Sequence, residues 1–380
     1  MLERGNTWHP VRFPHVRDLL SHGFGIRVLK RVKISSPGFP VMSLKSGDTS
    51  VAHDMATGIF RCVGMTINAK PIEIFDMIPA SGEWANWLRG LSWLHDFVES
   101  GQELHRIIAR KLIMKWGEKS PRHQTARTNA TALISLSRST PFLIHRSASF
   151  QTHLFPWVER LIHRVIVQRA TSSEDEFQQI VALLYASLAF RTTGNLRENA
   201  LGKFVRVINQ IILPDGGHVS REPLQLLETL ADLVPLRDTM LAHHLAVPQS
   251  MTSAIERMIP MLRMLCHGDD SLANFQGAGL PRTRLIKSVF ERDTIRGKPL
   301  QLAPHSGFAR LAHCNGLLLV DVGQNARCEG ALALEFSDGR HRIFINCGMP
   351  LLASSAWQDA ASSAAALHAA TVRQSTVSPK

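Results

Sequence analysis

The chain has 380 residues, of which 44% are hydrophobic, and 43 Lys and Arg against 31 Asp and Glu give it a formal net charge of +12. This composition excludes a disordered chain and is sufficient for a sizeable core, with a length that suggests two or three domains. The positive charge favours polyanionic partners, namely nucleic acid, an anionic membrane surface or an acidic polysaccharide.

The cysteines and the hydropathy pattern exclude further classes of protein. The five cysteines have no CxxC spacing, so neither a zinc site nor a complete disulfide framework is predicted, and no metal is expected. No run of about 18 apolar residues occurs, which predicts that no transmembrane segment is present. Residues 17–31 lack the apolar core and cleavage site of a secretory signal, so the sequence does not itself support export.

Residues 1–55 are basic and rich in Gly, Ser and Pro, without a sustained hydrophobic period. We predict a basic leader with little fixed structure over this stretch.

Residues 83–267 show the period of amphipathic helices. Ser173 and Glu176 form a predicted capping box, and Pro235 is predicted to stop a later helix. The apolar stripes that follow helical spacing are Phe177, Ile180, Val181, Leu184 and Leu188; Leu224, Leu227, Leu230, Ala231 and Val234; and Ile255, Met258, Ile259, Leu262 and Leu265. Consecutive helices of this kind predict a helical array or toroid over residues 56–270.

Residues 211–223 contain a breaker-rich polar loop that separates two of these helices. Gly216 and Gly217 allow backbone angles that other residues disfavour, and His218 and Arg221 would project from a turn that the helices hold in place. This loop is the predicted location of any chemistry, although its composition also fits an ordinary turn between helices.

Beyond residue 270 the hydrophobic pattern alternates, which predicts β-strands. Asn315-Gly316 indicates one tight hairpin and Ser337-Asp338-Gly339 a second. Each hairpin has one apolar face, and few residues follow that could supply a covering sheet. The prediction is a partial antiparallel β-sandwich over residues 271–380, truncated at its C-terminus.

The order of these motifs resembles the heparinase II/III-like family. The motifs are the helical array, Leu213-Pro214-Asp215-Gly216-Gly217-His218, Ala303-Pro304-His305-Ser306-Gly307-Phe308, and Leu334-Glu335-Phe336-Ser337-Asp338-Gly339-Arg340 ahead of Asn346-Cys347-Gly348. The resemblance covers roughly residues 80–367 and implies a polysaccharide lyase fold, an α/α toroid followed by a β-sandwich.

The resemblance implies β-elimination on a uronic-acid-containing polysaccharide, without a cofactor. Asn, His or Arg would neutralise the substrate carboxylate, and Tyr or His would transfer the protons. Residue by residue, it assigns Asn195 and His218 to the catalytic site. It assigns Arg221, His305, Trp84 and Trp87 to substrate binding.

Three positions depart from the family pattern. Leu196 stands where active members have a His, Gln225 where they have a Tyr, and Cys328 where the β-domain has a His. Gln cannot shuttle a proton, and Tyr185, the single tyrosine of the chain, lies in a helical stripe typical of packing residues.

Each of these candidate site residues also fits a purely structural role. Asn195 fits a turn residue, His218 a brace of its loop, Arg221 a solvated charge and His305 a support for the sandwich edge. Trp84 and Trp87 have a helical spacing that is also typical of core residues.

Two functions follow from these observations. The first is a lyase that cleaves an anionic polysaccharide, and the second is a non-catalytic or degenerate relative that binds such a glycan without cleaving it. A nucleic-acid-binding role is not expected, because no base-reading motif is visible. The family implies a cell-envelope or periplasmic location, while the missing signal leaves the cytoplasm open, and the oligomeric state is undetermined.

Overall fold

The computed structural model describes residues 32–62, 65–77, 82–119, 124–277, 282–293, 297–323 and 332–348. The helices are α1 (Thr49–Thr57), α2 (Ile74–Met77), α3 (Glu83–Arg89), α4 (Leu94–Ser100), α5 (Glu103–Lys119), α6 (Ala126–Ile144), α7 (Ala148–Val167), α8 (Ser173–Ala189), α9 (Leu196–Ile211), α10 (Pro223–Ala242), α11 (Gln249–Met264) and α12 (Thr283–Glu291). The strands are β1 (Ile34–Pro37), β2 (Ile59–Cys62), β3 (Met65–Asn68), β4 (Phe190–Thr192), β5 (Leu302–Ala303), β6 (Phe308–His313), β7 (Gly316–Asp321), β8 (Leu334–Asp338) and β9 (His341–Phe344). The predicted order, helices first and then an antiparallel sheet, is confirmed.

The described end of the predicted leader is folded. Strand β1 pairs antiparallel with β4, and the amide of Ile34 donates to Oε1 of Glu159 at 2.8 Å. Asp48 caps α1 by accepting from the amide of Ser50 at 2.9 Å. The expectation of little fixed structure is therefore wrong for residues 34–37 and 49–55, because strand β1 is held by partners far away in sequence. Residues 1–31 lie outside the described part of the chain.

Helix α8 begins one residue earlier than the capping box predicted. Its cap is Ser172, whose Oγ accepts from the amide of Asp175 at 3.1 Å, and Ser173 is the first helical residue. The predicted stripe of this helix is buried throughout. Helices α6, α8 and α9 pack side by side through such stripes, and α10 packs against α11 and α12.

Pro235 does not stop its helix, contrary to the prediction, since α10 continues to Ala242. A proline removes the hydrogen bond to the carbonyl four residues earlier, which here belongs to Ala231. That carbonyl accepts from Nη2 of Arg138 at 3.2 Å. A side chain from α6 thus replaces the missing backbone donor and lets the helix continue.

The sheet has the order β5-β6-β7-β8-β9, and every neighbouring pair is antiparallel. Both predicted hairpins are confirmed. In the first, His313 pairs with Gly316, so the two turn residues are Cys314 and Asn315, one position before the predicted pair.

One face of the sheet is buried against the helical region through polar contacts. His267 Nε2 lies 2.7 Å from Oε2 of Glu335, and His267 Nδ1 lies 3.0 Å from Oγ of Ser337. Arg310 donates to the carbonyl of Cys266 at 2.8 Å. These three contacts join the end of α11 to strands β6 and β8. Helix α12 lies beyond residue 270, and the domain boundaries given above remain predictions.

Candidate functional site

The loop of residues 213–223 is a compact turn closed by backbone hydrogen bonds. The amide of Leu213 donates to Gly217 at 2.8 Å and that of Val219 to Ile211 at 2.8 Å. Gly216 has φ of 87°, and a Cβ there would lie 2.1 Å from the carbonyl oxygen of Arg257 in α11. The glycine is required both by its backbone angle and by this close approach.

Asp215 connects this loop to the sheet region. Its Oδ2 accepts from the amides of His305 at 2.8 Å and Ser306 at 2.7 Å, and from the Ser306 hydroxyl at 2.9 Å. The side chain of His305 is exposed, so its backbone, rather than its ring, makes this contact.

Arg221 is bonded to a carboxylate of the chain itself. Its Nη2 pairs with Oδ1 of Asp321, its Nε donates to the carbonyl of Ser306 at 2.7 Å, and its guanidinium lies 5.2 Å from the ring centroid of Phe308. Asp321 also accepts from Nε2 of Gln276 at 2.7 Å. The group expected to meet a substrate carboxylate is 9% exposed and occupied by this internal pair.

His218 is buried within its own loop, with an exposed fraction of 3%. Its Nδ1 accepts from the amide of Ser220 at 3.1 Å and lies 2.7 Å from the Ser220 hydroxyl. Because Nδ1 accepts a backbone proton, the neutral ring carries its own proton on Nε2.

Asn195 and His218 lie at opposite ends of α9. The helix has 16 residues, and at about 1.5 Å per residue it separates the two by roughly 24 Å. Asn195 is exposed, and its side chain makes no capping hydrogen bond to the described first turn of the helix. The structure thus places His218 and Arg221 in one loop and Asn195 elsewhere.

The positions that depart from the family pattern have structural partners or are buried. Leu196 is buried, and Oε1 of Gln225 accepts from Nη2 of Arg127 at 3.3 Å. Tyr185 is fully buried; its hydroxyl accepts from Arg138 at 2.6 Å and donates to the carbonyl of Asp232 at 2.8 Å. Burial raises the pKa of Tyr185, which keeps the phenol protonated. Cys328 lies outside the described residues.

Trp84 and Trp87 form an edge-to-face pair with ring centroids 5.6 Å apart. Trp84 is 4% exposed and belongs to the core. Trp87 is half-buried and lines a cavity of about 1040 Å³, which we call the helical cavity.

The helical cavity is lined by residues 41–48 and by side chains of α3, α4, α6, α8, α10 and α12. Sequence reasoning missed it because its walls come from segments far apart in the chain. A partial signal exists in the hydroxyl groups at helical spacing on α6, which are Thr131, Ser135 and Ser139. Glu228 and Asp232 stand four residues apart on α10 and face the same space.

Two of the cavity's basic side chains are neutralised by ion pairs. Lys45 pairs with Glu228, and Nη2 of Arg138 lies 2.8 Å from Oδ1 of Asp232. The first pair holds residues 41–48 against α10, and the second holds α6 against α10. They leave the cavity with a basic wall at the start of α12 and an acidic wall formed by α4 and residue 48.

The basic wall consists of Arg282 and Arg284, which are exposed and form no ion pair with the described acidic residues. Hydrogen bonds from Ser50 lower the pKa of Asp48, and Arg284 adds a smaller Coulombic contribution. Arg284 is therefore within electrostatic reach of the acidic wall.

The acidic wall consists of Asp48, Asp96 and Glu99, with His95 beside them. Oδ1 of Asp96 accepts from the amide of Asp48 at 2.8 Å and lies 3.3 Å from Nε2 of His95. The Asp96 side chain is 8% exposed. Burial raises its pKa, and the opposing effect of His95 is smaller.

Comparison with known proteins agrees with this architecture. Residues 295–375 match the family model described as heparinase II/III-like, C-terminal. A heparinase III structure is 12% identical with a TM-score of 0.58, covering 83% of this chain and 60% of its own. Heparan sulfate lyase HepC from Pedobacter heparinus is 13% identical with a TM-score of 0.53, covering 79% of this chain and 55% of its own.

The resemblance to the heparinase II/III-like family is therefore confirmed, and the fold is that of a helical toroid followed by a partial β-sandwich. A curated relative, FtsZ-localized protein C of Caulobacter vibrioides (strain NA1000 / CB15N), is 24% identical over 297 residues, which are 72% of this chain and 50% of the relative. The chain thus spans about half the length of this relative. Among the described residues, no helix combines the length and apolarity needed to cross a membrane.

Proposed function

We propose that this heparinase II/III-like protein binds an anionic glycan without cleaving it. The observation that carries the proposal is a contrast between two places. The groups expected to handle a substrate carboxylate in the loop of residues 213–223 are bonded within the protein, whereas the helical cavity presents Arg282 and Arg284 without an ion-pair partner among the described residues.

The arrangement of possible proton-transfer groups supports binding over cleavage. Elimination needs a base and an acid within hydrogen-bond reach of the reacting sugar. Tyr185 is fully buried with both hydroxyl bonds satisfied, and Gln225 has no titratable proton. Asn195 lies roughly 24 Å along α9 from His218, too far for the two to act on one carboxylate.

The helical cavity has the groups that hold an acidic sugar chain. Guanidinium groups form paired hydrogen bonds with carboxylates, an aromatic face such as that of Trp87 packs against a sugar ring, and Thr131 and Ser135 supply hydroxyl groups. A cavity of about 1040 Å³ is at the upper end of typical small-molecule sites, which suits an oligosaccharide.

The test combines binding with product detection. Purified protein is titrated with a panel of acidic polysaccharides, and each mixture is followed by the ultraviolet absorbance of the unsaturated uronate that elimination would produce. We expect binding without an absorbance increase. Arg282→Gln combined with Arg284→Gln should weaken binding about tenfold or more, because charge-assisted hydrogen bonds are lost.

The matched control is Arg169→Gln combined with Arg206→Gln, which removes the same charge from exposed positions outside the cavity. Equal weakening by both pairs would show that only net charge attracts the glycan. An absorbance increase that His218→Ala abolishes would overturn the proposal in favour of a lyase.

A second candidate function comes from the curated relative. Its name describes localisation with FtsZ, and the match covers 72% of this chain. We therefore propose FtsZ as an alternative partner, tested by co-sedimentation of the purified chain with assembled FtsZ. Absence of the chain from the FtsZ pellet would remove this candidate. For glycan binding, the proposed location of the protein is the cell envelope or periplasm.

A further inference from the structure

Glu228 places a carboxylate among basic side chains of the helical cavity. It belongs to α10 and lines the cavity together with Lys45, Arg138 and Arg282. Lys45 forms an ion pair with it, and the Glu228 side chain remains 25% exposed. Basic side chains that would attract the acid group of a glycan thus already lie near an acid group of the protein.

The charge of Glu228 is stabilised by all three basic side chains. Burial by itself would raise the pKa of its carboxyl group. The nearby positive charges of Lys45, Arg282 and Arg138 outweigh burial, so the pKa of this group is lowered. Glu228 is therefore ionised at neutral pH, and its charge offsets part of the positive potential that the cavity presents to an anion.

Lys45 lies in a segment that can release it from Glu228. Residues 41–48, which we call the strap, line the cavity and belong to no helix or strand. The amide of Lys45 donates to the hydroxyl of Ser43 at 3.1 Å, a contact within the strap. The Lys45 side chain is 32% exposed, and its four-carbon stem is flexible. Lys45 can therefore change its partner without breaking regular secondary structure.

We infer that Glu228 is an internal competitor of the anionic ligand. It holds Lys45 in the free protein, and a carboxylate of the bound glycan takes over this contact. The wild-type protein therefore binds more weakly than its basic side chains allow, because the ligand must displace an intramolecular partner. The inference rests on the proposed glycan binding and adds the residue that limits its affinity.

The test measures the affinity of Glu228→Gln for an alternating glucuronate and N-acetylglucosamine polymer by calorimetry at one fixed ionic strength. We expect binding about three- to fivefold tighter than that of the wild type, the range that a partly exposed ion pair contributes. Gln keeps the shape of the side chain and an oxygen that can accept from Lys45, so the variant is expected to fold. Glu118→Gln removes the same charge at an exposed position outside the cavity and should leave the affinity nearly unchanged.

A second substitution tests whether the gain comes from the release of Lys45. Lys45→Gln, added to Glu228→Gln, should return the affinity to that of the wild type or below, because the freed ammonium group is lost. A double variant that keeps the full gain, an equal gain from Glu118→Gln, or no gain from Glu228→Gln would each overturn this inference alone. Failure of both the wild type and Glu228→Gln to bind the polymer would instead overturn the proposed function.

Discussion

Arg221 is buried beside Asp321 although it belongs to a polar, breaker-rich loop. A charge in such a loop fits a solvated residue or a substrate contact equally well. The distinction depends on Asp321, a hundred residues away in sequence, and no local pattern predicts that pairing.

Removing one member of this pair should destabilise the fold. Arg221→Met leaves Asp321 buried without its cationic partner, and we expect the free energy of unfolding in urea to fall by about 3–5 kcal/mol. Arg206→Met, at an exposed and loosely paired position, should change it by less than about 0.5 kcal/mol. A loss below about 1 kcal/mol for Arg221→Met would contradict a stabilising role of the pair.

The raised pKa of Asp96 predicts that this residue makes a pH-dependent contribution to the stability of the fold. Burial raises its pKa above the ordinary value of 3.8, and nearby Asp48 and Glu99 act in the same direction while His95 opposes them. The folded state therefore holds the proton more tightly than the unfolded state. Ionising Asp96 costs stability as the pH rises from 3.8 through the folded-state pKa.

Asp96→Asn cannot ionise, so its free energy of unfolding relative to the wild type should increase with pH across that window. The difference in free energy of unfolding between the two proteins should be constant below pH 3.8 and again above the folded-state pKa of Asp96. Urea denaturation at a series of pH values measures it, with Glu118→Gln as an exposed control. A difference that does not change with pH would contradict this assignment.

The loop of residues 213–223 shows what an element's composition can and cannot predict. Its two glycines predict a tight turn, which the structure confirms through φ of 87° at Gly216. The composition does not predict that the turn packs against Arg257 and, through Asp215, against Ser306.

Two glycine-to-alanine substitutions distinguish a position that requires glycine from a position that tolerates a side chain. Gly216→Ala combines a strained backbone with a clash against the Arg257 carbonyl, and we expect a loss of about 1–3 kcal/mol or more in urea denaturation. Gly202→Ala, in the interior of α9 with nothing within 4 Å of its Cβ, should stabilise by about 0.5–1 kcal/mol. Effects of the same sign at both positions would contradict this explanation.

At the scale of the whole molecule, the helical region and the sheet are joined by buried polar groups. The contacts of Arg221 with Asp321, His267 with Glu335 and Asp215 with Ser306 all cross between them. Buried polar groups are costly when they lose their partners, so separating the two parts should be unfavourable.

This interface predicts coupled opening in hydrogen exchange. The slowest amides of β7 and of α10 should exchange with the same opening free energy, because exposing either part breaks the shared contacts. Arg221→Met should lower both values together, as measured by mass spectrometry of exchanged peptides. A decrease confined to β7 would show that the sheet opens independently.

The sequence by itself determined the helical stripes, the two hairpins, the order of helices before strands and the resemblance to the heparinase II/III-like family. These depend on local hydrophobic period, turn chemistry and motif order, which a linear chain displays directly. Tertiary structure alone decided that α10 continues through Pro235, that Arg221 is paired with Asp321, and that Asn195 lies away from His218. It also formed the helical cavity, since long-range contacts bring together charges that are distant in sequence and determine which of them remain available to a ligand.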